Sequence, residues 1–381
     1  MTDWNALPDD DFRAEVRAFY AANFPDHLRD VIGYYTWDMQ RDWYRKLYEQ
    51  GWAAPSWPPE YGGMGLDANK LLIFVEERLE LARGPDFGGI VMLGPVLMKF
   101  ATPEQKAYYL PRILSGKDLW AQGYSEPGAG SDLAGLRTEA VLDGDEFVVN
   151  GQKIWTTWGL ECSHMFALVR TDKTVKKQEG ISFLLLDLKS PGVKVRGIRN
   201  LAGGTDFCEV FFDDVRVPKE NLIGELNKGW TVSKALVGHE RLLIGNPQHC
   251  QRALERLALL ASSRKLFDDV GFVDKYTELT LDVEDLSASY ARYCDLARRG
   301  QPIGADVSLL KIVATETLQR INELIVESAA DYGGSHGVLD FGDARIDVLH
   351  PFYISRPTTI GAGTSEVQRN VMAKFVLGLP A

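Results

Sequence analysis

Several signals are missing from this chain of 381 residues, and each absence removes a class of function. No run of about 18 apolar residues occurs, so no segment reads as a membrane-spanning helix. Positive charge is scarce: 42 Lys and Arg stand against 53 Asp and Glu, for a net charge of −11. Such a chain has no excess of cations to replace the counterions of a nucleic acid, and no nucleic-acid partner is expected. A small phosphate ligand stays open, because it needs only a local cluster or a helix N-terminus. The four cysteines, Cys162, Cys208, Cys250 and Cys294, are widely spaced, with no CxxC pair and no histidine at metal-ligand spacing. They read as buried free thiols, and no metal site is expected. The opening Met1-Thr2-Asp3-Trp4 lacks the basic and apolar regions of a secretory signal, so the expected compartment is the cytoplasm. No G-x-G-x-x-G follows a strand and opens a helix, which argues against a nicotinamide dinucleotide fold.

What is present is the composition of a folded protein, 45% apolar and 25% charged, long enough for two or three domains. The texture changes twice. Up to about residue 118, apolar residues recur at spacings of three and four over Asp11 to Tyr20, Trp37 to Glu49, Ala68 to Leu81 and Thr102 to Leu114. Thr102, Pro103 and Gln105 form a helix start with a cap, a first-turn proline and a capping-box glutamine. Pro- and Gly-rich breaks at Pro55 to Gly65 and Gly84 to Gly89 separate these helices. From about 121 to 224 the texture is that of strands. Asp143-Gly144 and Asn150-Gly151 read as hairpin turns bracketing Glu146 to Val149. Further strands are expected at Met165 to Arg170, Ile181 to Leu186, Val193 to Ile198 and Cys208 to Val217. The helical period then returns near 228–262, 273–298, 304–330 and 364–377. Consecutive blocks of helix, strand and helix make an α+β chain, with expected domains at 1–120, 121–224 and 225–381.

The chemistry concentrates in a few runs. Gly123-Tyr124-Ser125-Glu126-Pro127-Gly128-Ala129-Gly130-Ser131-Asp132 is rich in small residues, which let a backbone approach a flat or phosphorylated ligand. By composition alone it reads first as a plain surface loop. Asn150-Gly151-Gln152-Lys153-Ile154-Trp155-Thr156-Thr157 follows it, then Phe212-Asp213-Asp214-Val215-Arg216-Val217-Pro218 with Asn221-Leu222-Ile223-Gly224-Glu225. Gly363-Thr364-Ser365-Glu366-Val367-Gln368-Arg369 lies near the end, and Tyr332-Gly333-Gly334 precedes it. These five runs, in this order, resemble the signatures of the acyl-CoA dehydrogenase family. Tyr124 replaces the small aliphatic residue usual in the first of them.

The resemblance implies a helical N-terminal domain, a middle β-barrel and a C-terminal four-helix bundle. It also implies FAD as cofactor, an acyl-CoA thioester as substrate and an electron-transferring flavoprotein as the re-oxidising partner. The cofactor set it implies is Gln122, Tyr124, Ser125, Gly130, Ser131, Trp155, Thr156 and Thr157, with Arg264, Gly333, Gly334, Thr364 and Glu366. Tyr124 and Ser125 would meet the flavin ring, and Trp155 and Thr157 its other side. Ser131 would stand by the coenzyme A portion.

The reaction needs a carboxylate to take the α-proton, and shielding from water brings such a group closer to the working pH. Many relatives place that Glu just before the Gly-Thr of the C-terminal run, where this chain has Ala362. Others, including those acting on isovaleryl and long-chain substrates, carry it on the bundle, at the position matching Glu240. Leu236, Val237, Leu243 and Ile244 lie one helical turn to either side of it, an apolar face. Elsewhere a Glu-Arg pair on a helix is a solvated pair. Here the resemblance makes Glu240 the base, with Arg241 and Ala362 near the substrate.

The family's Arg-x-x-Phe-Gly is met by Arg264 and Phe267, but Asp268 and Asp269 follow, and acidic groups repel a pyrophosphate. A mixed heterotetramer, in which another chain completes the site, therefore stands beside a homodimer or homotetramer. A flavin oxidase or monooxygenase on the same fold is a further alternative.

Overall fold

In the computed structural model, residues 2–29, 35–81, 88–234 and 244–380 are described. The chain folds as two compact units, Met1–Gly238 and His239–Ala381.

The first unit opens with α1 (Asp9–Asn23), α2 (Trp37–Gln50) and α3 (Ala68–Leu81). Phe12, Val16 and Tyr20 of α1 bury one stripe against Trp43, Leu47, Trp52 and Phe74. A helix interrupted by a π-turn follows: Gly89–Leu93 is wound one residue wider, and α4 (Gly94–Phe100) continues from it. Pro95 explains the widening, since its ring clashes with the carbonyl four residues back and it donates no N–H. The Ile90 carbonyl at this turn accepts the Trp57 indole N–H at 2.9 Å. The capping box expected at Thr102 opens α5 (Pro103–Leu114): Thr102 and Gln105 each bond the other's backbone N–H.

Seven strands follow: β1 (Trp120–Gly123), β2 (Glu139–Asp143), β3 (Glu146–Thr157), β4 (His164–Arg170), β5 (Ile181–Asp187), β6 (Val193–Ile198) and β7 (Phe207–Pro218). They form one curled sheet in the order β1-β4-β2-β3-β7-β6, with β5 also paired to β4. β4 and β5 are unbroken apolar runs because both faces are covered. Met165, Ala167, Leu184 and Leu186 fill the concave core. Phe166, Leu168, Phe183 and Leu185 meet the helices through Trp57, Leu93 and Leu110.

The turn expected at Asp143-Gly144 joins β2 to β3, with Asp143 opposite Glu146. The one expected at Asn150-Gly151 does not exist. There β3 runs straight through, opposite a bulge on β7. Asn150 bonds both the backbone N–H and the carboxylate of Asp214, whose φ is 48°. Gly151 is required twice over, by a φ of 144° that residues with side chains rarely adopt and by contact, since a Cβ there would lie 2.7 Å from Thr138 Cα. Continued pairing with β7 outweighs the local turn preference.

The second unit contains α6 (Gln248–Ser263), α7 (Val270–Arg298), α8 (Ser308–Ser328), a hairpin of β8 (Val338–Phe341) and β9 (Ala344–Asp347), then α9 (Leu349–Ser355) and α10 (Ser365–Phe375). The helix α8 packs against α6, α7, α9 and α10 through Leu310, Ile312, Ile321, Leu324 and Ile325. The single helix expected over 228–262 is interrupted. Residues 229–234 are helical, but Pro247 stands before α6 and the Asn246 side chain accepts the Gln248 N–H. No helix among the described residues is long and apolar enough to cross a membrane, and none of their His, Cys, Asp and Glu residues group to hold a metal.

Candidate functional site

The first two signature runs of the β region, separated by some twenty residues, are drawn together at one end of the sheet. β1 ends at Gly123, and the chain turns out through Tyr124 and Ser125. The Ser125 carbonyl accepts the Ile154 N–H of β3 at 2.9 Å. Tyr124 stands edge-on to Phe166 and Phe183, half-buried. Gln122 is half-buried on β1, whereas Gly130 and Ser131 are exposed on the loop that follows.

A buried ion pair fixes this junction. The Lys153 ammonium, fully enclosed, donates to Glu126 Oε1 at 2.7 Å, the Leu168 carbonyl at 2.7 Å and the Tyr124 carbonyl at 3.2 Å. Its three protons meet three acceptors. Glu126 also accepts the backbone N–H groups of Arg137 and Thr138. Burial pushes the Lys153 ammonium down, to about 8, against the opposing pull of Glu126. Burial alone pushes the Glu126 carboxyl up, but the charge and hydrogen bonds of Lys153, with those of Thr138 and Arg137, leave it below the usual carboxylate range. Both groups are therefore charged at neutral pH. Neither residue was singled out by sequence reasoning, although each lies in a quoted run. The available signal was a lysine at an inward position of a strand, which demands a buried partner.

Close by, β3 bulges. Lys153 pairs with Val210 and Thr156 with Cys208, so one extra residue is accommodated on β3. Trp155 takes a left-handed conformation, φ 61°, and the residue is 57% exposed. Bulges re-aim side chains, and strain held at an exposed aromatic points to a ligand-facing role. Next to it, Thr156 Oγ1 is buried with no hydrogen-bond partner among the described residues. Thr157 is exposed. An open aromatic face, an orphaned hydroxyl beside it and a small-residue loop fit a flat, polar-edged cofactor such as flavin. Thr156→Val is expected to weaken flavin retention by roughly three- to tenfold, the worth of one hydrogen bond. Folding should be unperturbed, and dialysis followed by visible absorbance measures the loss. Equal retention would remove Thr156 from the cofactor set.

The remaining candidates lie in the second unit, in two groups. Arg264 ends α6 and donates to the Ala329 carbonyl at 3.2 Å, which brings it beside the turn leading to Gly333 and Gly334. Its Nε is buried with no hydrogen-bond partner among the described residues, as a guanidinium awaiting an anion would be. Asp269, which looked hostile to a pyrophosphate, caps α7 by accepting the Gly271 N–H. Asp268 is exposed. In the other group, Ala362 and Gly363 are both left-handed, φ 53° and 80°, and deliver Thr364 as the cap of α10 through the Val367 N–H. Glu366 stands exposed in the first turn, where its own backbone N–H and the Thr364 hydroxyl hold its carboxyl below the usual range. Glu240 and Arg241 lie outside the described residues.

Comparison with known proteins agrees with these signatures. Residues 9–117 match the acyl-CoA dehydrogenase N-terminal domain, 121–215 the middle domain and 227–377 the C-terminal domain. The acyl-CoA dehydrogenase IpdE1 of Mycobacterium tuberculosis is 35% identical, over 97% of this chain and 98% of its own. Among solved structures, the Tcur3481-Tcur3483 steroid ACAD is 28% identical with a TM-score of 0.87, over 100% of both chains. The ChsE4-ChsE5 complex from M. tuberculosis is 32% identical with a TM-score of 0.85, over 98% of both. The chain belongs to the acyl-CoA dehydrogenase family, FAD-dependent flavoprotein oxidoreductases that act on CH–CH groups.

Proposed function

We propose that this enzyme introduces a double bond between Cα and Cβ of a coenzyme A thioester, with Glu240 as the base that takes the α-proton. Bound FAD supplies the acceptor for the hydride that leaves Cβ. The observation that carries the reading is the junction at the end of the sheet. Lys153 and Glu126 hold the Tyr124-Ser125 turn against β3, while the bulge presents Trp155 and leaves Thr156 Oγ1 for a ligand. In this reading Gln122, Tyr124, Ser125, Gly130, Ser131 and Thr157 join them around the cofactor. The resemblance adds Arg264, Gly333, Gly334, Thr364 and Glu366 to the cofactor set. Arg241 and Ser131 attend the thioester, and an electron-transferring flavoprotein takes the electrons away in the cytoplasm.

Two observations favour a bulky acyl group and a partner chain. Ala362 stands where many relatives carry a glutamate, which leaves room for a branched, cyclic or long substituent. The neighbours described as a steroid ACAD and as a ChsE4-ChsE5 complex support both points. The domain limits 1–120, 121–224 and 225–381 belong to the same proposal.

The test is turnover. The purified chain, alone and co-purified with any partner, is supplied with straight, branched and steroid-side-chain CoA thioesters and an artificial electron acceptor. The products are then weighed by mass spectrometry. Loss of two hydrogens from a thioester supports the reading, with the largest rate expected for a bulky group. An oxygenated product or peroxide would place the chain among flavin oxidases or monooxygenases. A colourless chain that gains flavin only with a second chain would make it one half of a heteromeric enzyme.

A further inference from the structure

The interior of the second unit holds a lysine that the groups above do not use. Lys311, in the first turn of α8, is 1% exposed. Among the described residues its ammonium has one hydrogen-bond acceptor, the Thr359 carbonyl at 3.0 Å, and no ion-pair partner. Burial pushes the ammonium below its ordinary range, against the charges of Glu316 and Glu366. Neither carboxylate is available to it: Glu316 gives both oxygens to Arg369 at 2.8 Å, and Glu366 stands in solvent. Burying a charge so sparsely paired is costly, and a methionine of similar length would fill the space without that cost. The packing of the bundle therefore does not call for an ammonium here; the Thr359 carbonyl does.

That carbonyl ends the short helix Arg356–Thr359 and opens the turn 360–363, which leads into α10. The turn is anchored from both sides. Two helical turns beyond Lys311 on α8, Gln319 donates to the Ser355 and Arg356 carbonyls at 3.0 and 3.1 Å and to the Thr359 hydroxyl at 3.2 Å. From α10, Gln368 donates to the Ala362 and Gly363 carbonyls, both at the long distance of 3.4 Å. Lys311 supplies the charge-assisted bond among these anchors, immediately before the exposed residues Ile360, Gly361, Ala362 and Gly363. Ala362 holds φ 53°, a conformation that costs a non-glycine residue free energy and persists only where its surroundings impose it.

We propose that Lys311 is a positioning residue for acyl-group selection: through the Thr359 carbonyl it fixes the turn that holds Ala362 in its left-handed conformation, an assignment that rests on the reaction proposed above. In that reading Ala362 borders the room left for a branched or cyclic substituent, so the place of its backbone sets the shape of that room. Lys311 itself touches neither substrate nor cofactor. It acts on the turn alone, and a short straight acyl chain does not reach the part it shapes.

The full holoenzyme is compared with Lys311→Met in three measurements. These are the midpoint of urea unfolding, amide hydrogen exchange over residues 359–364, and the ratio of kcat/KM for a branched or cyclic acyl-CoA to that for a short straight-chain one. The midpoint is expected to stay or rise, because a buried charge has been removed. Exchange over the turn should quicken, and the ratio should fall about 10- to 100-fold, the effect of a misplacement near 1 Å. A purely structural lysine would instead lower the midpoint and leave the ratio alone. A lower midpoint or a variant that fails to fold therefore overturns the proposal, as does an unchanged ratio or an equal fall for both thioesters. Loss of flavin from the variant assigns Lys311 to the cofactor and overturns it too. Faster exchange with an intact midpoint, in a wild type that turns over no thioester, would leave the hold on the turn standing while the proposed reaction fails. Thioester turnover with exchange and ratio both unchanged would do the reverse.

Discussion

Glu240→Gln is expected to slow thioester oxidation by about 10²- to 10⁴-fold, the usual contribution of a positioned general base. Glutamine keeps the shape of the side chain and its capacity to accept a hydrogen bond, but not its ability to take a proton. The α-proton then has no acceptor in place, because the alternative position is Ala362. Binding should be affected far less than turnover, so the loss belongs in kcat, with flavin content and thermal unfolding close to wild type. Stopped-flow reduction separates these quantities. A variant that keeps more than a tenth of the wild-type rate would place the base elsewhere. Ala362→Glu on the Glu240→Gln background asks whether the other family position can restore the reaction.

Lys153→Met is expected to cost about 3–5 kcal/mol of folding stability, the penalty for leaving one partner of a buried pair uncompensated. Lys153 is wholly buried and Glu126 nearly so; removing the ammonium strands a carboxylate as well as the Leu168 and Tyr124 carbonyls. Because one of those carbonyls belongs to the Tyr124-Ser125 turn, flavin retention should fall in the same variant. The midpoint of urea unfolding, with bound flavin removed beforehand, measures the folding part alone. The double variant Glu126→Gln/Lys153→Met should recover part of the loss by removing the stranded charge. A single variant within about 1 kcal/mol of wild type would mean that water or a relaxed backbone replaces the ammonium.

Much of the fold is legible because its signals are local. The helical period marks α1, α2 and α3, the Thr102–Gln105 capping box marks the start of α5, and unbroken apolar runs mark β4 and β5. What escapes depends on partners distant in sequence. Asn150-Gly151 has the chemistry of a turn, yet ladder bonds to β7, some sixty residues on, keep it extended. The π-turn at Gly89–Leu93 combines a local proline with an indole donor from Trp57. The β8–β9 hairpin consists of two four-residue strands, too short for a period to emerge.

The candidate site divides similarly. Its motifs could be read by resemblance, but the bulge that turns Trp155 outward, the orphaned Thr156 hydroxyl and the Glu126–Lys153 clamp are products of pairing between strands. Asp269 shows the converse. An acidic residue that looked opposed to cofactor binding is committed to a helix cap, a role visible only once α7 is seen to begin there.

The most direct measurement of the central claim is anaerobic titration of the purified flavoprotein with a series of acyl-CoA thioesters, followed at the visible flavin band, wild type beside Glu240→Gln. Bleaching of the wild-type band by a bulky thioester, with the variant unbleached on the same timescale, is the predicted result. A protein that holds FAD yet is bleached by none of the thioesters, or a variant bleached as fast as wild type, would contradict it.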